Sequence, residues 1–198
     1  MLMLLAIFFI VSGITLFIAF YFIFSKRKES LDRQVNINDS ALEKIKNSEF
    51  NVTKIFYLND YITTKKESDV KKFFAVDADK EKIAFVDYDN GGVYIVKFQE
   101  LLNYEIYENN TSQTFGGYLG GFVGVLGAET KGVCRDLRLI IRFRNINFAQ
   151  INYDIVNTSI GIVKSSGVYR DCIKTLQQAV SFLEAIIEKN KGSKNTDE

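Results

Sequence analysis

The sequence predicts an α+β chain in which an N-terminal transmembrane helix is followed by a mostly antiparallel β-domain closed by a C-terminal amphipathic helix. Three features point to it. Residues 2–24 form an uncharged apolar run. From Phe50 onward, β-branched and aromatic stretches alternate with turns spelled by Asn, Asp and Gly. Finally, apolar residues recur at helical spacing over 168–189.

The first run reads LMLLAIFFIVSGITLFIAFYFIF, with only Ser12, Thr15 and Tyr21 carrying polar side-chain groups. A hydrocarbon core of about 30 Å needs roughly 20 apolar residues, and an isolated span must be helical to satisfy its own backbone. The run exceeds a signal-peptide core and is followed by Ser25-Lys26-Arg27-Lys28 instead of a small-residue cleavage site, so the expectation is an uncleaved anchor over residues 1–25. Lys26, Arg27, Lys28 and Arg33 follow the span, while no charged side chain precedes it. The positive-inside rule then predicts a single-pass cell-membrane protein with its N-terminus outside and its domain cytoplasmic. The same four residues form a basic set suited to anionic head groups, at the start of a juxtamembrane linker, 26–49. Ser40-Ala41-Leu42-Glu43 has capping-box spacing and suggests a short helix within it.

Roughly 170 residues remain beyond the anchor, which is one domain's worth. Acidic and basic residues nearly cancel at a net charge of +1, so nothing marks a nucleic-acid partner. Histidine is absent, which removes the commonest general base and transition-metal ligand, and only two cysteines, Cys134 and Cys172, are present. The expectation is a protein that is not an enzyme and holds neither metal nor cofactor. With no proline in the chain, turns must come from Gly, Asn and Asp.

The expected strands span 51–58, 73–77, 83–87, 93–97, 104–108, 136–144 and 148–154. Residues 77–82 read as a polar hairpin connection, and Asp89-Asn90-Gly91-Gly92 contains the Asn-Gly signal of a tight one. In the strand around Leu139, Arg138, Arg142 and Arg144 share one face while Leu137, Leu139, Ile141 and Phe143 share the other. Such an arginine ladder suits either an anion site or a solvated sheet face, and exposed strand faces are commonly charged. Over 168–189, Val168, Cys172, Leu176, Ala179, Val180, Leu183, Ile186 and Ile187 fall on one helical stripe, so Cys172 reads as a core thiol. Residues 190–198 read as a disordered tail.

The unusual stretch is a Gly-rich insert over 115–128, within an uncharged run. It lacks the spacing of a phosphate-binding loop. Gly116, Gly120 and Gly124 recur at the interval used for close helix packing, and Leu119, Phe122, Val123 and Leu126 lie between and after them. These seven residues form a candidate contact segment for membrane, partner or self-association, with internal packing as the alternative. The acidic pairs Asp77/Asp79 and Asp87/Asp89 have the spacing of neighbours on one strand face, and turn chemistry accounts for both.

Seven strands closed by one C-terminal helix is the order of a pleckstrin-homology-like (PH-like) barrel. In residues 73–77, 80–83 and 98–105, the Gly-rich insert and the closing helix, the chain resembles small membrane-anchored PH-like proteins of Gram-positive bacteria and their phages. That resemblance implies binding rather than a known activity. The basic loop of phosphoinositide readers is diluted to Lys65, Lys66, Lys71 and Lys72 among acidic residues. The leading expectation is a non-enzymatic, membrane-tethered interaction module that binds a protein partner or the inner membrane surface. The alternative is a membrane-perturbing phage or toxin-like factor acting through the Gly-rich segment.

Overall fold

The computed structural model describes residues 2–58, 71–109, 111–115, 132–145 and 148–192. Helix α1 spans Leu2–Asn47, strands β1 to β4 are Lys54–Leu58, Lys72–Asp77, Lys82–Asp87 and Gly92–Lys97, and a 3-10 turn covers Phe98–Glu100. Strands β5 to β8 follow as Leu101–Glu108, Thr111–Phe115, Val133–Phe143 and Gln150–Val163, and helix α2 is Gly167–Gly192.

Among the described residues, no helix is long and apolar enough to cross a membrane. The expected transmembrane anchor over residues 1–25 is corrected accordingly. With it go the single-pass placement in a cell membrane, the outward N-terminus and the cytoplasmic side. The apolar run is not an element of its own: α1 carries it unbroken through the charged residues that read as a linker and ends only at Asn47. Nothing from Lys26 to Asn47 breaks a helix, since neither Gly nor Pro occurs there. Ser40 therefore lies inside the helix and does not start one. The end comes where the Ser48 amide and hydroxyl turn back on Ile45 O, at 3.2 and 2.7 Å.

The C-terminal part of α1 is tied to the domain by packing. Ala41 and Ile45, one turn apart, are fully buried with Phe50 against Phe73, Ala75, Ala84 and Val86. Ala75 and Ala84 are direct cross-strand partners, so their short side chains leave a shallow trough into which the helix settles. Polar pins accompany this contact. Tyr88 Oη donates to Asn38 Oδ1 at 2.7 Å and accepts from the Phe73 amide at 2.9 Å, while Asn38 Nδ2 donates to Lys71 O at 3.1 Å.

The β-residues form two four-stranded antiparallel sheets, ordered β1-β2-β3-β4 and β6-β5-β7-β8. The expected α+β composition holds, with antiparallel strands arranged in these two sheets and a C-terminal helix. Strand β6 is one that the sequence does not reveal. It pairs with the outer edge of β5, so β6 and β7 are consecutive in the chain but not neighbours. Its residues, Thr-Ser-Gln-Thr-Phe, show no apolar alternation. Pairing follows the tight reversal at Asn109, whose φ is +46°.

Strand β2 is buried on both faces, with Phe73 and Ala75 toward α1 and Phe74 and Val76 toward the main core. That core lies between the sheets and beneath α2. Tyr153 of β8 joins the sheets, its hydroxyl accepting from the Val86 amide at 3.2 Å and donating to Phe73 O at 3.3 Å. Phe148 stacks on Tyr94 of β4 at 3.7 Å between centroids and on Phe143 of β7 at 5.1 Å. The closing helix follows the sequence stripe: Cys172, Leu176, Ala179, Val180, Leu183, Ile186 and Ile187 are all buried, and Val168 is partly buried against the same core. Each large aliphatic side chain on such a stripe contributes about 1.5–3 kcal/mol of burial energy. α2 includes residues 190–192, and the rest of the expected tail lies outside the described residues.

Candidate functional site

Where α1 passes the β3–β4 turn, helix and turn enclose an open cleft of about 830 Å³. The turn is built by its own sequence. Asp87 Oδ1 accepts from the Asp89 amide at 2.9 Å, Asn90 Oδ1 accepts from the Gly92 amide at 2.8 Å, and the Gly91 amide reaches Asp87 O at 2.8 Å. Gly91 sits at φ +71°, a conformation that favours glycine. The Asn-Gly signal in the sequence thus marks the observed turn.

Two carbonyls of this turn face the helix and accept its cations. Arg33 Nη2 donates to Asp89 O at 3.0 Å, and Lys44 Nζ donates to Gly91 O at 3.1 Å. Lys28, Glu29 and Asp32 line the same cleft, with Asn36 and Ser40 on the next turns of the helix. All five charged side chains are exposed. Counting toward the N-terminus of α1, Gln34 is the last buried residue among those described, so the cleft straddles the point where the helix leaves the sheet. The arrangement offers a charged, water-accessible trough, which suits recognition of a polar segment.

The basic set that the sequence places beside the apolar run divides here into two. Lys28 and Arg33 line the cleft, whereas the side chains of Lys26 and Arg27 lie outside the described residues. Lys44 is a site residue that sequence reasoning misses. The 36, 40, 44 spacing marks one helix face, but nothing in the sequence says that this face meets a turn near Gly91. The contact segment of Gly116, Gly120, Gly124, Leu119, Phe122, Val123 and Leu126 lies outside the described residues, as do Lys65 and Lys66.

The other candidates resolve into structure. Arg138 pairs with Asp136 through two hydrogen bonds of 2.8 and 2.6 Å and reaches Asp154 at 3.3 Å, and Arg142 pairs with Glu105 at 2.7 Å. Arg138 also lies over the Tyr107 ring. Hydrogen bonding to Asp136 holds its guanidinium firmly charged. This part of the ladder is a paired sheet face, in which acids compensate the two arginines.

Asp77 is buried, accepts from the Asn51 amide at 2.8 Å and the Lys80 amide at 3.0 Å, and is thereby a turn residue. Burial pushes its carboxyl up, but these amides and the charges of Lys80 and Lys82 outweigh that and hold it below its ordinary value. Cys134 is fully buried, with its thiol pushed up to about 12 by burial and then by Glu108. Glu108 itself accepts from Tyr169 Oη at 2.9 Å and pairs with Lys164 at 3.0 Å. A thiol so placed supplies no thiolate near neutrality. Among the described residues, no group of three or more His, Cys, Asp and Glu is placed to hold a metal ion.

No known family matches the sequence, and neither a curated protein nor a solved structure matches it.

Proposed function

We propose that this chain is a non-enzymatic interaction module that binds a segment of a protein partner in the cleft between α1 and the β3–β4 turn. The observation that supports this reading is the pair of contacts from Arg33 and Lys44 to the carbonyls of Asp89 and Gly91. They brace the wall of an 830 Å³ trough whose lining includes the exposed charged side chains of Lys28, Glu29, Asp32, Arg33 and Lys44. Preorganised polar groups around a concavity lower the ordering cost of binding. Two of the titratable groups buried in the domain, Cys134 and Asp77, are committed to packing and to turn geometry instead.

The test is site-specific photocrosslinking in cells, with benzoylphenylalanine at Asn36 in the full-length chain and at Asp171 on α2 as the control. The reading predicts a discrete adduct from Asn36 that is absent from Asp171 and lost when Arg33→Glu and Lys44→Glu are combined. Adducts of equal pattern from both positions, or an Asn36 adduct indifferent to the charge reversals, contradict it.

A further inference from the structure

We infer that two copies of this chain associate by packing the apolar part of α1, over residues 14–22, helix against helix.

α1 runs unbroken from Leu2 to Asn47, but its buried contact with the sheet is made near its C-terminal end, by Ala41 and Ile45. Toward the N-terminus, Gln34 is the last buried residue among those described, and Tyr21 lies 13 residues before it. At 1.5 Å per residue that separation is about 20 Å of helix. The described part of the domain leaves this end uncovered: Ile14, Phe17, Ile18, Phe20, Tyr21 and Phe22 are each between 49% and 74% exposed. At about 200 Å² for a whole aromatic side chain, the four aromatic residues alone leave about 500 Å² of largely apolar surface in water. The two isoleucines add to it. The largest apolar patch on a typical monomer is about 300–600 Å², and a standard interface takes about 800 Å² from each partner. This end of α1 therefore exposes as much apolar surface as an interface between copies needs at its centre.

The pattern suits a helix as the occupant. At about 100° per residue, Ile14, Phe17, Ile18 and Tyr21 fall on a stripe about 100° wide, the arrangement by which one helix seats on another. Phe20 and Phe22 flank the stripe on opposite sides, so its borders are apolar as well. A second copy carries the same stripe, and a two-fold axis brings the two stripes face to face. Residues 2–24 carry no charged side chain, so closing this contact buries no ion. A bilayer is the other apolar environment that would cover the segment, but among the described residues no helix is long and apolar enough to cross one.

The experiment is light scattering on the size-fractionated full-length chain over a concentration series, with flotation on phosphatidylcholine/phosphatidylglycerol vesicles as a second arm. The mass of two chains is expected, without flotation. Phe17→Ser combined with Tyr21→Ser should weaken the association roughly a hundredfold, about tenfold for each aromatic ring removed. Both side chains are exposed and lie far along α1 from Ala41 and Ile45, so the circular dichroism and urea midpoint of this variant should match those of the unmodified chain. Ile160→Ser, which removes an 82% exposed side chain from β8, should leave the mass unchanged. A single-chain mass at every concentration, a pair that survives the double substitution, or a monomeric chain that floats with the vesicles overturns the inference.

Discussion

Removing one hydroxyl should loosen α1 from the sheet that it helps to cover. Tyr88 Oη accepts from the Phe73 amide at 2.9 Å and donates to Asn38 Oδ1 at 2.7 Å, joining the helix, β2 and the β3–β4 turn in one network. Phe73 is 2% exposed and Asn38 3% exposed, so water cannot readily replace the lost partner. Tyr88→Phe strands the Phe73 amide, and a buried unsatisfied donor costs about 1–3 kcal/mol. Asn38→Ala should cost about as much, since it removes the acceptor for Tyr88 and the donor to Lys71 O. Because the two share a bond, the double variant should fall short of the sum by about 1 kcal/mol. Urea denaturation of the full chain by circular dichroism measures this. With a slope of about 2 kcal/mol/M, Tyr88→Phe should lower the midpoint by about 1 M at unchanged slope. A Tyr88→Phe effect below about 0.3 kcal/mol, or strict additivity, would refute the view that this network holds the helix in place.

Asp77 links stability to acid. Its carboxyl is held below the ordinary value, so its contribution is fully present above the unfolded-state value and is lost as pH falls through the folded one. Asp77→Asn should therefore destabilise at pH 6 and leave a flatter stability profile below about pH 4, which denaturation at each pH will show. Gly161 sits at φ +80° with a Cβ position 2.2 Å from Val133 Cγ1 and 2.9 Å from Arg135 Cγ. Gly161→Ala should cost about 1–3 kcal/mol in a thermal or urea melt, and a neutral result would contradict the close approach of Val133 and Arg135 to this position. Cys134, buried and with its thiol pushed up to about 12, should resist thiol reagents in the native chain at pH 8 and react in urea. Rapid native labelling at Cys134 would contradict its placement.

The parts of the fold that are legible in the sequence are those where one face repeats. The α2 stripe from Cys172 to Ile187 follows periodicity, and the turn at Asn90-Gly91 follows a backbone conformation that few residues adopt. Strand β6 is not legible because Thr111–Phe115 is specified by its pairing with β5 rather than by its own pattern. The boundary expected at Lys26 fails because a charge cluster after an apolar run resembles an end, whereas helix continuity depends on the absence of a breaker. The docking of Ala41 and Ile45 is hidden for another reason: their trough is made by Ala75 and Ala84, far away in sequence. Lys28 and Arg33 stand out in the sequence for charge alone, and only the fold places them opposite Asn90 and Gly91, beside Lys44.

Binding in the cleft can be tested by blocking it reversibly. Ser40→Cys, an exposed position on the cleft wall, is modified with a bulky methanethiosulfonate reagent, and the Asn36 photocrosslink is measured before and after reduction. Modification should abolish the adduct and reduction should restore it, while the same reagent on Asp171→Cys leaves the adduct unchanged. An adduct that persists with the cleft filled would contradict the claim that the partner binds there.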